Sequence, residues 1–170
     1  MSDSPGTKDF LDAYPIGACL NGIASLIASL DLAGMDDQVW IRKAGTTKGV
    51  TFPAVIIAPT AGRYNSQEGG ATRPDVWYRF GVMIARGGSR EDAWTAESAA
   101  TLGWGDEIFR AFAKTARPFQ MPAALQSSGY QVILSDVELG EPTEIQHWRE
   151  GLDCELLGIN VKVRFPSTAP

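Results

Sequence analysis

A glycine-rich turn is the first candidate for chemistry in this sequence. Gly87, Gly88 and Ser89 separate a strand-like run, "VWYRFGVMIAR", from a segment with helical character. A turn that feeds a helix N-terminus in this way often binds phosphate. A dinucleotide site needs G-x-G-x-x-G, whereas here two adjacent glycines precede a good N-cap residue, with Asp92 three positions later as in a capping box. The pattern favours a strand-to-helix corner, with a nucleotide or phosphate site as the alternative.

The other residues that could do chemistry form no catalytic or metal-binding pattern. His147, the only histidine, lies between Gln146 and Trp148 in a stretch without a nucleophile or the spacing of a metal site. The acidic pair Glu91–Asp92 lacks the spacing of a calcium loop and suits the first turn of a helix. No G-x-S-x-G elbow or P-loop motif occurs. We therefore expect a protein that is not an enzyme and uses no cofactor or metal.

Length and composition predict a single domain over residues 1–170. Hydrophobic residues make up 44% and charged residues 21% of the chain, as in proteins with an ordinary packed core. The formal net charge of -5 argues against sequence-specific or coating contacts with nucleic acid. The N-terminus lacks the pattern of a secretory signal, and no apolar run approaches the ~20 residues of a membrane span. We expect a soluble protein made in a cytoplasm, with Cys19 and Cys154 buried and unpaired, a disulfide between them being the alternative.

Hydrophobic periodicity predicts the order of the elements. Apolar residues recur every three or four positions from Ile16 to Leu32, which indicates an amphipathic helix after a flexible N-terminal arm, residues 1–15. "VWIRK" and "TFPAVIIAP" are separated by turn residues and predict a β-hairpin. A long polar loop over residues 60–75 leads to the strand "VWYRFGVMIAR", a helix that extends to about Ala116, and two closing strands.

This order predicts the α+β class, because strands joined by short loops favour an antiparallel or mixed sheet with helices grouped on one face. We expect one mixed, largely antiparallel sheet of about five strands, with the N-terminal helix and the one long helix packed on it.

The layout resembles that of the tail terminator and tail completion proteins of long-tailed bacteriophages. The likeness covers about residues 16–165. It begins with an amphipathic first helix, "IGACLNGIASLIASL", a first strand pair, "VWIRK…FPAVIIAPT", and a long polar loop, "AGRYNSQEGGATRPD". It continues with a central strand, "VWYRFGVMIAR", one long helix, "SREDAWTAESAATLGWGDEIFRAFA", and the closing strands that end in "LLGINVKVRF". It is a similarity of layout rather than of a signature motif.

The resemblance implies a structural virion protein of the tail or neck, assembled in the host cytoplasm. Members of that family form homo-oligomeric rings, six-fold in symmetry, that cap the tail tube, end its polymerisation and join it to the head-side connector. The implied partners are further copies of the chain, the tail tube protein and a connector or neck protein, with DNA passing through the ring. The alternatives are another neck protein, of the head-closure or head–tail joining kind, and a small ligand-binding domain that uses the glycine turn.

A ring subunit needs two different surface patches that meet on neighbouring copies, and three groups of residues are candidates. Aromatic, arginine and methionine side chains are enriched at interfaces, so the second face of the central strand and the start of the polar loop qualify. The alternatives are burial within the subunit for the first group and a solvated loop for the second. Two basic residues on the last strand could line a lumen or contact acidic neighbours, the alternative being a plain solvated face. The group on the central strand is Trp77, Arg79 and Met83, the group at the start of the loop is Arg63 and Tyr64, and the basic pair on the last strand is Lys162 and Arg164.

Overall fold

The computed structural model describes residues 8–35, 38–43, 49–66, 73–86, 96–138 and 154–167. Its helices are α1 (Lys8–Leu11), α2 (Pro15–Ser29), α3 (Ala96–Ala100), α4 (Trp104–Phe112) and α5 (Ala123–Ser127). Its strands are β1 (Val39–Ile41), β2 (Ala54–Ser66), β3 (Asp75–Ala85), β4 (Thr115–Ala116), β5 (Gln131–Glu138) and β6 (Cys154–Arg164). The strands form one sheet in the order β1–β2–β3–β6–β5–β4, with β1 and β2 parallel and every other pair antiparallel. The α+β prediction is confirmed, with six strands where about five were expected.

Helix α2 forms where periodicity predicted the first helix. Pro15 occupies its first turn, where a missing N–H breaks no hydrogen bond. Cys19, Ile23 and Ile27 follow one another at a spacing of four and are fully buried against the sheet. The helix ends at Ser29, and Asp31 then adopts a left-handed conformation with φ of 52°.

The prediction of a flexible arm over residues 1–15 is wrong for its second half. Residues 8–11 form α1, which packs against α2. Gly17 permits this contact, because a Cβ atom on it would lie 2.1 Å from the carbonyl oxygen of Leu11. Residues 1–7 lie outside the described part of the chain.

The predicted hairpin is also wrong, since β1 and β2 run parallel. Val39 pairs with Val55 and Ile41 with Ile57, and the connecting segment 42–53 returns the chain to the starting end of β1. Parallel pairing requires such a crossover of about a dozen residues. The antiparallel partner of β2 is β3, which lies on its other side.

Strand β2 is longer than predicted and takes in the first half of the expected polar loop. Residues 60–66 continue the strand, with Arg63 opposite Tyr78 and Ser66 opposite Asp75. A shift of register between Pro59 and Arg63 places extra residues in β2, as in a β-bulge. Pairing with β3 thus overrides the poor strand propensity of glycine, asparagine and serine in this stretch. Residues 67–72 of the expected loop lie outside the described residues.

Strands β3 and β6 form the centre of the sheet and pair over eleven rungs without a shift of register. On both strands the apolar residues that alternate in the sequence lie on one face of the sheet. The face that carries Phe80, Val82 and Ile84 on β3 and Ile159 and Val161 on β6 packs under α2 and α4 and forms the main core. We call the opposite face of the sheet the outer face.

The long helix that was predicted to reach Ala116 is interrupted and ends early. A 3₁₀ turn at Thr101–Gly103 separates α3 from α4, and α4 ends at Phe112 before the short edge strand β4. Trp104 begins α4 and is buried, with its indole N–H donating to the carbonyl of Ala33 at 3.0 Å. The start of the predicted helix and the turn before it, residues 87–95, lie outside the described residues.

Candidate subunit interface

The outer face is divided into an apolar half and a polar half by a rung of small residues. Gly81 and Gly158 face each other on this rung, with Ala58 of β2 beside Gly81. On one side of it a second apolar cluster is buried, formed by Trp40, Val50, Ala54, Ile56, Met83, Ala85 and Cys154 with Phe52 packed against it. Leu156 lies at the margin of this half, opposite Met83, and remains 48% exposed.

The polar half carries an ion pair that spans three strands. Arg79 of β3 reaches Glu138 of β5 across β6, with 2.8 Å between Nη2 and Oε2. Gly158 lies under this path, because the position of its missing Cβ is 3.7 Å from Nε of Arg79 and 3.4 Å from Cβ of Glu138. The glycine therefore keeps open the space through which the arginine side chain crosses the central strand.

A shallow groove of about 320 Å³ runs beside this ion pair. Trp77 and Arg79 line it on β3, Asn160 on β6, and Asp136 and Glu138 on β5. Both side chains of the ion pair are partly exposed, at 36% for Arg79 and 49% for Glu138. The groove therefore offers an aromatic surface together with accessible charges of both signs.

A buried carboxylate anchors the far end of the polar half. Asp75 is 2% exposed and accepts two hydrogen bonds from Arg164, at 2.8 and 3.0 Å, while Nζ of Lys162 lies 3.7 Å from Oδ2. These hydrogen bonds and the two positive charges lower the pKa of Asp75 against the opposing effect of its burial. Lys162 also lies over the ring of Trp77, with Nζ 5.7 Å from the ring centroid, which fixes the indole beside the groove.

The structure brings four of the seven predicted interface residues together on this half of the face. Trp77, Arg79, Lys162 and Arg164 lie on the adjacent strands β3 and β6, and the rung of Trp77 includes Lys162. The backbone of Tyr64 pairs with Trp77 and that of Arg63 with Tyr78, so β2 continues the sheet beside this group.

Met83 is a correction to the predicted set. It lies on the outer face as expected, but it is 6% exposed and packs in the second apolar cluster. Segment 49–53 and Trp40 supply this cover, whereas the sequence suggested cover by helices. A side chain buried in its own subunit is not available to a neighbour, so Met83 packs within the subunit and does not contact the neighbour.

Sequence reasoning missed the acidic partners of the predicted basic residues. Asp75 begins β3, and Asp136 and Glu138 alternate along β5 on the same face as Arg79 and Lys162. Opposite charges on neighbouring strands form favourable cross-strand pairs. The alternation in "SDVE" was a usable signal, but it identifies partners only once β5 is known to lie next to β6.

The arrangement suits contact with protein rather than capture of a phosphate. Arg79 pairs with Glu138, while Lys162 and Arg164 share Asp75, so each of the three cations lies within 4.0 Å of a carboxylate. Mixed charges around an aromatic side chain are common at the rims and centres of protein interfaces.

The described residues also bear on metal binding and on insertion into a membrane. No group of three or more His, Cys, Asp or Glu side chains is placed there to hold a metal ion. None of the described helices has the length and apolar character needed to cross a membrane.

The glycine turn at 87–89 and His147 lie outside the described residues. Comparison of the chain with protein-family models and with curated proteins finds no match.

Proposed function

We propose that the protein is a structural, non-enzymatic subunit of a homo-oligomeric ring, hexameric by the resemblance, that caps a phage tail tube and joins it to the head-side connector. The observation that carries the proposal is the unequal covering of the sheet. Helices α2 and α4 pack on one face, whereas the polar half of the outer face leaves Arg79 and Glu138 accessible beside Trp77. A ring subunit can bury such a surface, with its aromatic side chain and charges of both signs, against a neighbour.

The layout supports the same proposal. An amphipathic helix, the long strands β2 and β3, a helical segment and the closing strands β5 and β6 follow each other in an order that resembles that of the tail terminator and tail completion proteins. The partners in this proposal are other copies of the chain, the tail tube protein and a connector or neck protein in the virion.

Association in solution tests the proposal. The purified chain is measured by size-exclusion chromatography with light scattering over a hundredfold range of concentration, alone and with tail tube protein, and the products are imaged by electron microscopy. We expect closed rings, formed alone or on the ends of tubes, and tubes that stop growing when the chain is added. A chain that remains monomeric in both conditions and leaves tube growth unchanged would refute the proposal.

A further inference from the structure

Among the described residues, no strand pairs with the outer edge of β2 over its second half. Strand β1 pairs with Val55–Ile57 only, whereas β2 continues to Ser66. Within the described ranges no strand lies beside Arg63–Ser66 on the side away from β3. Such an edge presents backbone donors and acceptors that can pair with a strand of another chain.

The alternation of the backbone shows which residues face this edge. The hydroxyl of Thr60 donates to the carbonyl of Arg79, which therefore points towards β2. The odd-numbered residues of β3 thus face β2, and their partners Tyr64 and Ser66 face β3 in return. It follows that the N–H and C=O groups of Arg63 and Asn65 point to the open edge.

The beginning of the open edge is protected against pairing. Pro59 follows Val55 and Ile57, which both hydrogen-bond with the β1 segment, so Pro59 takes the same outward orientation and has no N–H to donate. The shift of register between Pro59 and Arg63 then interrupts the regular spacing of the edge. These features limit strand addition to the four residues Arg63–Ser66.

The other edge of the sheet, at β5 and β4, lies level with the end of β2 along the strand direction. Ser66 pairs with Asp75, Asp75 with Arg164, and Arg164 with Gln131, so one rung connects the end of β2 with the beginning of β5. In the described part of the chain, the short edge strand β4 follows β5 at this end of the sheet and runs in the same direction as β2. A neighbouring copy can therefore continue the sheet without a large displacement along the strands, and such a contact favours closure into a ring over a rising helix.

We propose that the Arg63–Ser66 edge of one copy pairs with the β4 edge of the next copy, so that the sheets of the ring are joined through backbone hydrogen bonds. This inference rests on the proposed function, because a ring needs two different patches that meet head to tail. The two ends of one sheet are such patches, and strand addition supplies affinity that depends little on side chains.

A proline substitution tests the role of the backbone. Asn65→Pro removes an N–H that faces the open edge and leaves the hydrogen bonds of Tyr64 and Ser66 to β3 in place. Asn65→Ala is the matched control, because it removes the side chain and keeps the N–H. We expect the apparent dissociation constant of the assembly to rise at least about tenfold for Asn65→Pro and to change little for Asn65→Ala, with the melting temperature of the monomer reported for both.

A cysteine pair tests the identity of the neighbour without relying on proline. Tyr64 and Ala116 lie on the same rung of the sheet, which runs through Trp77, Lys162 and Leu134. Tyr64→Cys and Ala116→Cys are therefore made separately and together, while the native Cys19 and Cys154 are buried and do not compete. The double variant is expected to give an oxidised ladder up to the full ring, and neither single variant is expected to cross-link.

The outcomes separate this inference from the proposed function. Rings of unchanged affinity with Asn65→Pro, together with no ladder from the double variant, overturn the edge pairing and leave the ring intact. Cross-linked dimers from Tyr64→Cys alone show that two β2 edges meet, which overturns the head-to-tail contact. A wild-type chain that stays monomeric with tail tube protein refutes the ring itself.

Discussion

Asp75 and Arg164 lie opposite each other at the ends of β3 and β6, joined by two hydrogen bonds of 2.8 and 3.0 Å between carboxylate and guanidinium. The contact is shielded, since the carboxylate is 2% exposed, and Lys162 adds a second positive charge. It ties the beginning of the central strand to the end of its neighbour, next to the proposed interface.

The first prediction concerns the pH dependence that this contact gives to stability. The pKa of Asp75 is lowered from its ordinary value of 3.8 in the folded state, so its contribution is fully present above about pH 4 and is lost as the pH falls through the lower folded value. Asp75→Asn is expected to reduce the free energy of unfolding by about 2 kcal/mol at pH 7, as for a hydrogen bond to a charged group. Urea unfolding at pH 7 and at about pH 2.5 should show that the difference in the free energy of unfolding between wild type and variant shrinks in acid.

Glu107→Gln is the control for this prediction. It removes the charge of an exposed ion pair with Arg110 on α4, a kind of pair that contributes little. A loss of stability for Asp75→Asn that is no larger than that of Glu107→Gln, or that is independent of pH, would contradict the role assigned to the buried carboxylate.

The second prediction concerns the packing of α1 on α2. Gly17→Ala places a methyl group where the carbonyl oxygen of Leu11 would lie 2.1 Å away, so α1 must leave its position on α2. Proteolysis of the native protein should then cut faster near Leu11, with the rest of the fold retained. Gly103→Ala is the matched control, because nothing lies within 4 Å of its added Cβ and φ is -78°, and it is expected to be neutral or to stabilise by about 0.5 kcal/mol. Equal cleavage in the two variants would exclude the close packing of α1.

The third prediction concerns the reactivity of Cys19. Its thiol is fully buried in the core, and burial raises the pKa of the thiol well above its ordinary range. The thiolate is the reactive form of cysteine. Labelling of Cys19 by a thiol reagent at about pH 8 should therefore require opening of the fold. The labelling rate measured by mass spectrometry is expected to rise with added urea in parallel with unfolding. Rapid labelling of Cys19 in the native protein would show that α2 is not packed as described.

The fourth prediction separates association from stability at the polar half of the outer face. Gly158→Ala adds a Cβ at an ordinary contact distance of 3.4 Å from Glu138, whereas the branched side chain of Gly158→Val obstructs the path of Arg79. The ion pair is partly exposed, so losing it should change the free energy of unfolding by less than about 1 kcal/mol. If the face is buried in the ring, association should weaken for valine and not for alanine, as measured by light scattering. Equal association of the two variants would place the interface elsewhere.

The sequence was most informative where one face of an element is buried. The spacing of Cys19, Ile23 and Ile27 predicted α2, and the alternation of Phe80, Val82 and Ile84 predicted the inner face of β3. These patterns arise from contact with the main core, so they can be read without knowledge of the partner element.

The errors concern pairing, which local patterns do not encode. The turn residues after β1 suggested a hairpin, but β1 finds its partner through a crossover and lies parallel to β2. Residues 60–66 have the composition of a loop and become a strand because β3 offers a complementary edge. The candidate site shows the same limit, because Arg79 and Lys162 were predicted while their carboxylate partners on distant segments were not.

The full pairing of β3 on both sides has a consequence for the timing of amide hydrogen exchange. Each rung from Asp75 to Ala85 is held by β6, and β2 covers most of the other side, so β3 amide protons exchange only when the whole sheet opens. The amides of Arg63 and Asn65 point away from β3 on the neighbouring strand β2 and exchange early in a separate copy. A slowing of exchange confined to those two amides would therefore record, residue by residue, the moment at which one copy meets the next.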